Sequence, residues 1–469
     1  MKDILLTTIN AKWIHPSLAL RLLKANLNSL EEDCEIIEFA LRQPMAEKLE
    51  PFAAAYASGA LPKIIGISVS IWNHLATIEF LKELEKIYAD TPDAKPVIVL
   101  GGPEVSHLPP EADILKHEDH VIRGEGELAF CELCEKILEE ETLTKAPRRQ
   151  ERQEEKRIKS AYYLYTDEDV SKKLIYVESS RGCPFKCDFC LSALENKIFE
   201  FPLEQFLADM EILINRGVKT FKFLDRSFNT NIPRALKIIE FFLEKIITSS
   251  SSPFTVHFEM VPSLFPPELL QALTRFPPGT LRLEIGIQTL NQQVSARINR
   301  PSNPEKDMEA LRFLSENTNA IIHADLIAGL PGEDIDSFGR GFDKLWTVLN
   351  ARRDASRLEI QLGILKKLPG SPIERHDKEF KMHYNILPPY DIKETALISA
   401  NDMQRIKNFA RFWELLVNRG LVKLENDAVF NKFMQLSDML FSHFGKNWGI
   451  DKEELIIFIK NNCSYIVPF

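Results

Sequence analysis

Short apolar runs alternate with longer segments of helical periodicity over the first part of the chain. The runs rich in Ile and Val are ILLTTI, EIIEFA, IIGISVS, PVIVLGG and HVIRGEG, which are typical of strands buried on both faces. Between them, SLALRLLKANL and LATIEFLKELEKIY carry apolar residues at spacings of about three and four, which predicts amphipathic helices. This alternation predicts an α/β fold with a doubly wound, Rossmann-like parallel sheet over residues 1–143.

A second series of strands and helices follows over residues 173–370. Its predicted strands are LIYVESS, VKTFKFLD, FTVHFEM, LRLEIGIQ, AIIHADLIAG and RLEIQLGI, and segments such as LEQFLADMEILINRG and NPEKDMEALRFLSEN separate them as helices. Six strands of this kind predict a partial (β/α)6 barrel, with its active site at the carboxyl ends of the strands.

Two further segments differ in composition. TKAPRRQERQEEKRIK, over residues 144–159, is charged at most positions, so residues 144–172 are predicted to be a charged, solvent-exposed linker. Residues 371–469 have a mainly helical pattern and predict a helical C-terminal domain.

Composition narrows the class of protein. The 58 Lys and Arg residues against 68 Asp and Glu residues give a formal net charge of -10, which disfavours generic binding of nucleic acid. The start, MKDILLTTIN, lacks the pattern of a signal peptide, and no apolar run approaches the ~20 residues that span a bilayer. We therefore expect a cytoplasmic protein with no membrane partner.

Three of the seven cysteines fall in one short segment, ESSRGCPFKCDFCLSALE. Cys183, Cys187 and Cys190 are separated by three and then two residues, a spacing at which thiolates can surround a soft metal centre. Three protein ligands leave one iron of a four-iron cluster free to bind another molecule. A structural zinc site is the alternative, although such a site normally needs four ligands.

The remaining cysteines have a simpler interpretation. Cys131 and Cys134 would complete a zinc site, yet they lie in the helical pattern GELAFCELCEKILEE of the N-terminal domain. We expect both of them, together with Cys34 and Cys463, to be small apolar residues of a core.

The cysteine segment resembles the signature of the radical S-adenosylmethionine (SAM) superfamily. The resemblance implies a 4Fe-4S cluster on the three cysteines, with the amino and carboxylate groups of SAM on the open iron. One electron, from a donor such as flavodoxin or ferredoxin, then cleaves SAM to a 5′-deoxyadenosyl radical. Phe189, just before the last cysteine, corresponds to the family's aromatic residue against the adenine.

Residues at the ends of later strands resemble the same family. In FKFLDRSFN, Asp225 and Arg226 match the motif for the SAM amino group, and Glu284 and Gln288 in EIGIQTLN match the ribose and carboxylate region. The resemblance also implies SAM contacts from Glu259 after the third strand and from the backbone of Ile327, Ala328 and Gly329. The alternative for each is a salt bridge or a turn at the top of the barrel.

For three other barrel residues the sequence predicts no definite role in catalysis or cofactor binding. Arg300, in RINRPS, either neutralises the SAM carboxylate or is a surface residue. His257 and His323 lie inside apolar strands, so we expect histidines with partners in the core or on the barrel lining, without a chemical role.

The N-terminal segments GISVSIWNH, VIVLGGPEVSH and VIRGEGE resemble the cobalamin-binding domains that are joined to radical SAM barrels. Ligands bind at the carboxyl ends of strands in open α/β sheets, where small residues let a large ligand approach the backbone. The resemblance implies cobalamin contacts from Ser68, Ser70, Trp72, Gly101, Gly102, Pro103, Glu104, Gly124 and Glu125.

The chain departs from cobalamin domains that bind cobalt through histidine. Those domains carry Asp-x-His-x-x-Gly after the first strand, whereas this sequence has NAKWIHPSL, in which His15 is offset. We expect His15 to be a capping or packing residue and cobalamin to lack a protein histidine ligand. The lower face of the cobalt is then open to solvent or to a side chain such as Trp72.

Together these segments resemble the class B radical SAM methyltransferase-like family, in a subgroup with a further C-terminal domain. The resemblance implies an enzyme in which one SAM methylates cobalamin and a second is cleaved, so that a substrate radical takes the methyl group. The alternatives are a radical SAM cyclase, rearrangement or ring-contraction enzyme, and a non-catalytic scaffold that binds a metal or cofactor. The substrate, a small molecule or a peptide, is left open.

Overall fold

The computed structural model describes residues 1–89, 95–139, 148–149, 158–194, 197–248, 253–350, 358–424, 428–462 and 466–468. The chain divides into two compact units, one of Met1–Val177 with Phe201–Lys222 and one of Glu178–Glu200 with Phe223–Phe469. Cys463 and most of the charged run over 144–159 lie outside the described residues.

The first sheet contains all five strands that the N-terminal pattern predicts. Its strands are β1 (Ile4–Asn10), β2 (Cys34–Ala40), β3 (Ile64–Ser68), β4 (Val97–Gly101), β5 (His120–Arg123) and the short β6 (Arg148–Arg149). They pair in parallel in the order β2-β1-β3-β4-β5-β6. This order confirms the doubly wound sheet, in which the strand order reverses beside β1 and β3.

Helices cover both faces of this sheet. They are α1 (Leu18–Ala25), α2 (Met45–Ser58), α3 (His74–Ile87) and α4 (Glu127–Leu138). Leu5 of β1 packs in one core with Phe52 and Phe80, whereas its neighbour Ile4 packs in another core with Phe130. Because successive residues of a strand point to opposite faces, both faces must be apolar, and the strands are near-continuous apolar runs.

The end of the predicted linker is folded in the first unit. Residues 167–172 form α5 (Asp167–Lys172), whose capping box uses Thr166. Asp169 is 2% exposed, and its carboxylate pairs with the Arg21 guanidinium at 2.7 Å. Tyr165 and Val170 are also buried, and Asp169 forms a second ion pair with Lys173 at 2.8 Å. Apolar burial and ion pairs therefore hold a stretch that charge alone predicted to be exposed.

The second sheet contains all six predicted barrel strands. The strands of this part of the chain are β7 (Ile175–Val177), β8 (Ser180–Arg181), β9 (Phe199–Glu200), β10 (Thr220–Phe223), β11 (Thr255–Met260), β12 (Leu281–Gln288), β13 (Ile321–Ala328) and β14 (Leu358–Ile364). The six-stranded order is β14-β13-β12-β11-β10-β7, and β8 pairs with β9 separately. The intervening helices are α6 (Leu203–Asn215), α7 (Ile232–Thr248), α8 (Pro267–Leu273), α9 (Gln292–Arg297), α10 (Pro304–Asn317) and α11 (Ile335–Leu349).

One face of the second sheet is polar. In β12, Leu281, Leu283 and Ile285 are fully buried, whereas the alternating Arg282 and Glu284 are half-buried. Since residues at alternate positions of a strand share a face, the charged residues of β12 line one side of the sheet.

The C-terminal region is mainly helical, as predicted, and contains α12 (Asp377–Phe380), β15 (His383–Tyr384), β16 (Ile392–Glu394), α13 (Ala400–Trp413), β17 (Val422–Leu424), α14 (Phe430–Phe444), α15 (Lys452–Asn462) and β18 (Ile466–Pro468). The predicted boundary at residue 371 falls inside the second unit. Phe342 of α11 lies 4.7 Å from Trp413 and 5.3 Å from Phe409, ring centre to ring centre, so aromatic packing joins this region to the last barrel helix. Among the described residues, no helix has the length and apolar character needed to cross a membrane.

Candidate cluster and cofactor site

The three cysteines lie on a loop whose ends are tied together by β8 and β9. These strands pair antiparallel, with Ser180 opposite Glu200. Inside the loop, the Cys190 backbone N–H donates to the Cys187 carbonyl oxygen at 3.1 Å. Cys187 is 5% exposed, whereas Cys183 and Cys190 are half-buried. The segment from Cys187 to Cys190 therefore forms a compact turn.

The thiols have polar neighbours. The Ser227 hydroxyl donates to the Cys183 sulfur at 3.6 Å, and the Arg300 Nη1 donates to the Cys187 sulfur at 3.8 Å. Burial raises the pKa of the Cys187 thiol, the Arg300 charge opposes this, and the Cys190 and Cys183 thiols add to it. The Cys183 and Cys190 thiols are thus near enough to Cys187 to act on it electrostatically.

This donor set fits a cluster that needs several thiolates. Among the described residues, no three His, Cys, Asp or Glu side chains are gathered for a single metal ion. A four-iron cluster does not require such a group, because each thiolate binds a different iron atom.

Asp225 holds the start of the cysteine loop. It is 1% exposed, and its Oδ2 accepts the Ser179 backbone N–H at 2.9 Å. Its Oδ1 accepts the hydroxyls of Ser179 at 2.6 Å and Ser180 at 2.7 Å. Burial raises the pKa of this carboxyl, and the hydrogen bonds from Ser179 and Ser180 oppose the rise. Asp225, which is predicted to hold the SAM amino group, is thus hydrogen-bonded to Ser179 and Ser180.

The other predicted acidic residues form pairs on the polar face of the sheet. Arg226 Nη1 lies 3.9 Å from Glu259 Oε2, and Arg226 is exposed. Glu284 lies 3.2 Å from His257 Nε2, at the middle of β12 rather than at its end. His323 Nδ1 lies 3.2 Å from Glu359, so both barrel histidines have carboxylate partners, as expected for lining residues.

A backbone irregularity sits at the end of β12. The register against β13 shifts between Gly286 and Gln288, and Gln288 has a φ of 68°. Ile327 is half-buried near the end of β13, and Ala328 is buried after it. Gly329 has a φ of 89°, and a Cβ there would lie 2.6 Å from Ile392, so the chain turns tightly where adenine contacts are predicted. Phe189 is half-buried.

At the carboxyl edge of the first sheet, Asn73 joins two strands. It is fully buried, and its side-chain amide donates to the carbonyl oxygens of Ile9 and Ser68 at 3.1 and 3.2 Å. Its Oδ1 accepts the Ser70 backbone N–H at 2.8 Å. The ends of β1 and β3 are therefore fixed at the point where the strand order reverses.

Gly102 lets the turn after β4 approach the turn after β3. Its φ is 104°, and a Cβ there would lie 2.5 Å from the Val69 carbonyl oxygen. Gly101 is less restricted, because its Cβ would meet only the Ile122 oxygen at 3.8 Å. Position 102 therefore requires glycine, because any side chain there would clash with the turn after β3.

The remaining predicted cobalamin residues differ in their surroundings. Trp72 is 53% exposed at this edge, whereas Glu104 is buried and its Oε1 lies 2.7 Å from His74 Nδ1. Ser68 and Glu125 are half-buried, and Pro103 and Gly124 are exposed. His15 is bonded to the Tyr176 hydroxyl at 2.8 Å, which agrees with a packing role.

Cys131, Cys134 and Cys34 are buried in the core between the sheet and α4, as predicted. Sequence reasoning missed Asn73, which the quoted segment GISVSIWNH contains as a polar residue directly after a strand. It also missed Asp188, which lies between two of the cysteines. Asp188 is 1% exposed and lies 2.7 Å from His376 Nε2.

Comparison with protein families places two domains on the chain. The model of the B12 binding domain matches residues 4–134, and that of the radical SAM superfamily matches residues 177–345. The first match covers β1 to β5 of the first sheet and most of α4, and the second runs from the end of β7 through the cysteine loop into α11.

Two curated relatives resemble the chain over different lengths. The cobalamin-dependent radical SAM methyltransferase TokK of Streptomyces tokunonensis is 24% identical over 72% of this chain and 54% of its own length. The ribosomal protein uS12 methylthiotransferase RimO of Nitratiruptor sp. is 23% identical over 35% of this chain and 38% of its own length. The chain therefore spans between about a third and just over a half of the curated relatives it matches.

Solved structures show the same fold. The cobalamin-dependent SAM radical enzyme OxsB, with aqua-cobalamin and SAM bound, gives a TM-score of 0.67 at 15% identity over 98% of this chain and 75% of that one. TsrM from Kitasatospora setae, with tryptophan substrate and a SAM analogue bound, gives a TM-score of 0.64 at 16% identity over 98% and 99%. With a B12-binding domain over residues 4–134 and a radical SAM domain over residues 177–345, the chain combines the two domains of the cobalamin-dependent radical SAM proteins that it resembles.

Proposed function

We propose that this protein is a cobalamin-dependent radical SAM methyltransferase. Its cofactors are a 4Fe-4S cluster on Cys183, Cys187 and Cys190, SAM, and cobalamin without a protein histidine ligand to cobalt. One observation carries the proposal. The chain combines a loop of three cysteines, whose ends are paired by β8 and β9, with a B12-binding domain whose sheet edge has a tight glycine turn at Gly102.

In the second unit, residues of the chain hold the cysteine loop in place for the cluster. When bound, the cluster supplies the electron that cleaves SAM to a carbon radical. Asp225 fixes Ser179 and Ser180 at the start of the loop, and the β8–β9 pair closes its base. The loop is thereby held before the cofactor binds, so less ordering is needed on binding.

In the first unit, residues at the sheet edge fit a large, partly flat ligand. Cobalamin supplies the methyl group when bound. Gly102 lets the turn after β4 lie against the turn after β3, and Asn73 fixes the ends of β1 and β3. Trp72 exposes its side chain at the same edge. His15 is bonded to Tyr176, which supports the absence of a histidine ligand.

The methyl acceptor is a small molecule or a peptide, and the electron donor is a one-electron carrier such as flavodoxin or ferredoxin. TokK and TsrM support methyl transfer as the reaction, since both are described as methyltransferases.

The first experiment measures iron, sulfide and cobalamin in protein purified and reconstituted without oxygen, with hydroxocobalamin supplied. We expect about four irons and one corrinoid per chain. Zinc in place of iron, with no SAM cleavage under strong reductant, would instead support the scaffold alternative.

The second experiment analyses the products of SAM. Methyl transfer yields S-adenosylhomocysteine together with 5′-deoxyadenosine when the substrate is present. 5′-Deoxyadenosine without S-adenosylhomocysteine would contradict methyl transfer and support a cyclase or rearrangement enzyme.

A further inference from the structure

Arg300 bridges a cluster cysteine and the irregular end of β12. Its Nη1 donates to the Cys187 sulfur at 3.8 Å, and its Nη2 donates to the Gly286 carbonyl oxygen. Of the three thiols, that of Cys187 belongs to the most buried residue. A cation is therefore held against the sulfur that is furthest from water.

The backbone of Arg300 is fixed by Ser295. The Arg300 N–H donates to the Ser295 carbonyl oxygen at 2.9 Å, and the Ser295 hydroxyl donates to the Arg300 carbonyl oxygen at 2.9 Å. These two bonds close the turn after α9. The side chain consequently leaves the backbone from a fixed point.

The strand bulge provides the acceptor for the other end of the guanidinium. A Cβ at Gly286 would lie 2.4 Å from Gln288 Nε2 and 3.5 Å from Arg300 Nη2, so glycine makes room for both side chains. The guanidinium thus has two partners in this chain before any ligand binds, the Gly286 carbonyl oxygen and the Cys187 sulfur.

A cation with an N–H aimed at a ligand sulfur has a known effect on iron–sulfur centres. Their reduction potentials depend on net charge and on hydrogen bonds to the sulfurs. The cluster gains one electron from an external one-electron donor, and its negative charge rises by one unit. A neighbouring guanidinium stabilises the reduced form more than the oxidised form, which raises the potential.

We propose that Arg300 is a positioning residue that sets the reduction potential of the cluster through its N–H···S contact with Cys187. The proposal rests on the proposed function only in requiring a cluster on the three cysteines. It differs from an interaction with the SAM carboxylate, because the effect is present before SAM binds.

The test is redox potentiometry of the reconstituted full-length protein, followed by electron paramagnetic resonance, without SAM. We compare the parent with Arg300→Gln, Arg300→Lys and the control Arg297→Gln. Arg297 lies at the end of α9, where its Nη1 donates to the Pro331 carbonyl oxygen at 2.8 Å. The expected result for Arg300→Gln is a reduction equilibrium constant about tenfold lower, which is 59 mV for a one-electron couple.

The other variants sharpen this result. Arg300→Lys keeps the charge and loses the planar fork, so its midpoint should fall between those of the parent and Arg300→Gln. Arg297→Gln should keep the parent midpoint. A parent midpoint in Arg300→Gln, or weaker SAM binding as its sole change, would overturn the proposal.

Two further outcomes separate the possible failures. Loss of iron from both Arg300 variants would also overturn the proposal, because Arg300 would then hold the loop rather than tune the cluster. A parent protein that binds no iron–sulfur cluster would instead overturn the proposed function.

Discussion

The carboxylate of Asp225 and residue Ser179 are joined twice, once through the Ser179 hydroxyl at 2.6 Å and once through its backbone N–H at 2.9 Å. Ser179 lies just before the cysteine loop and Asp225 just after β10. A buried acidic side chain therefore sets where the loop begins. This relationship can be tested apart from catalysis, because it exists in protein without cofactors.

We expect Asp225→Ala to destabilise the protein without cofactors. The substitution leaves the donors of the buried Ser179 and the half-buried Ser180 without their acceptor, and the loss at a buried donor costs about 1–3 kcal/mol. Denaturant unfolding should show a fall of roughly that size or more, together with low iron content after reconstitution. The exposed Asp336 provides the control, since Asp336→Ala should change stability by only about 0.5 kcal/mol. Equal stability of Asp225→Ala and the parent would contradict the structural role.

Cys187→Ala should abolish the cluster and all cleavage of SAM. Three thiolates are needed to leave a single open iron, and Cys187 is one of these three. The first unit should stay folded and keep its affinity for hydroxocobalamin. Cys134→Ala is the matched control, because that buried thiol lies in the core of the first unit and its loss should leave iron content unchanged. Cleavage of SAM at the parent rate by Cys187→Ala would refute the cluster assignment.

Gly102→Ala should weaken cobalamin binding strongly. The added Cβ would lie 2.5 Å from the Val69 carbonyl oxygen at a φ of 104°, which strains the turn by about 1–3 kcal/mol. Gly101→Ala is the matched control, since its nearest neighbour lies at 3.8 Å. Absorbance titration with hydroxocobalamin measures both. Parent affinity in Gly102→Ala would show that this turn does not shape the site.

The stability of the protein should depend on the ionisation of Glu333. Burial raises its pKa from 4.5 to about 7, although a hydrogen bond from Thr289 opposes the rise. The folded state therefore holds a proton that the unfolded state has lost between these pH values. It follows that the contribution of Glu333 to stability is greatest below about pH 4.5 and is lost as the pH rises towards 7.

Glu333→Gln should remove that part of the pH dependence, which is on the order of 3 kcal/mol. Glutamine keeps the size of the protonated side chain and an oxygen that can accept from Thr289. Denaturant unfolding of both proteins between pH 4.5 and 8 measures the difference. Parallel curves for the two proteins would show that Glu333 is already ionised in the folded state.

The strands were predictable because burial on both faces leaves a local mark in the sequence. Ile4–Asn10 is buried along its whole length, and the sequence shows it as a continuous run. The short β6 and helix α5 were not predicted, since they depend on pairing with β5 and on the ion pair with Arg21. Charge patterning describes a segment alone and does not include the partner that folds it.

In the candidate site, too, the local features were predictable from the sequence and the long-range contacts were not. The spacing of the cysteines is local, so the loop could be recognised from residues 183–190 alone. The contact between Arg300 and Cys187 joins residues that are 113 positions apart, and it depends on the bulge at Gly286. Likewise, the family resemblance of EIGIQTLN predicts a SAM contact for Glu284, whereas its pairing with His257 depends on the register of β11 and β12.

The first unit is not continuous along the chain. It includes Phe201–Lys222, in which Phe206 of α6 lies 6.3 Å from the Tyr162 ring and Arg216 donates to the Tyr165 carbonyl oxygen at 2.6 Å. During translation the ribosome must therefore release the whole cysteine loop before α6 can complete this unit. All three cysteines are therefore synthesised before the N-terminal unit can be completed, although they belong to the other unit.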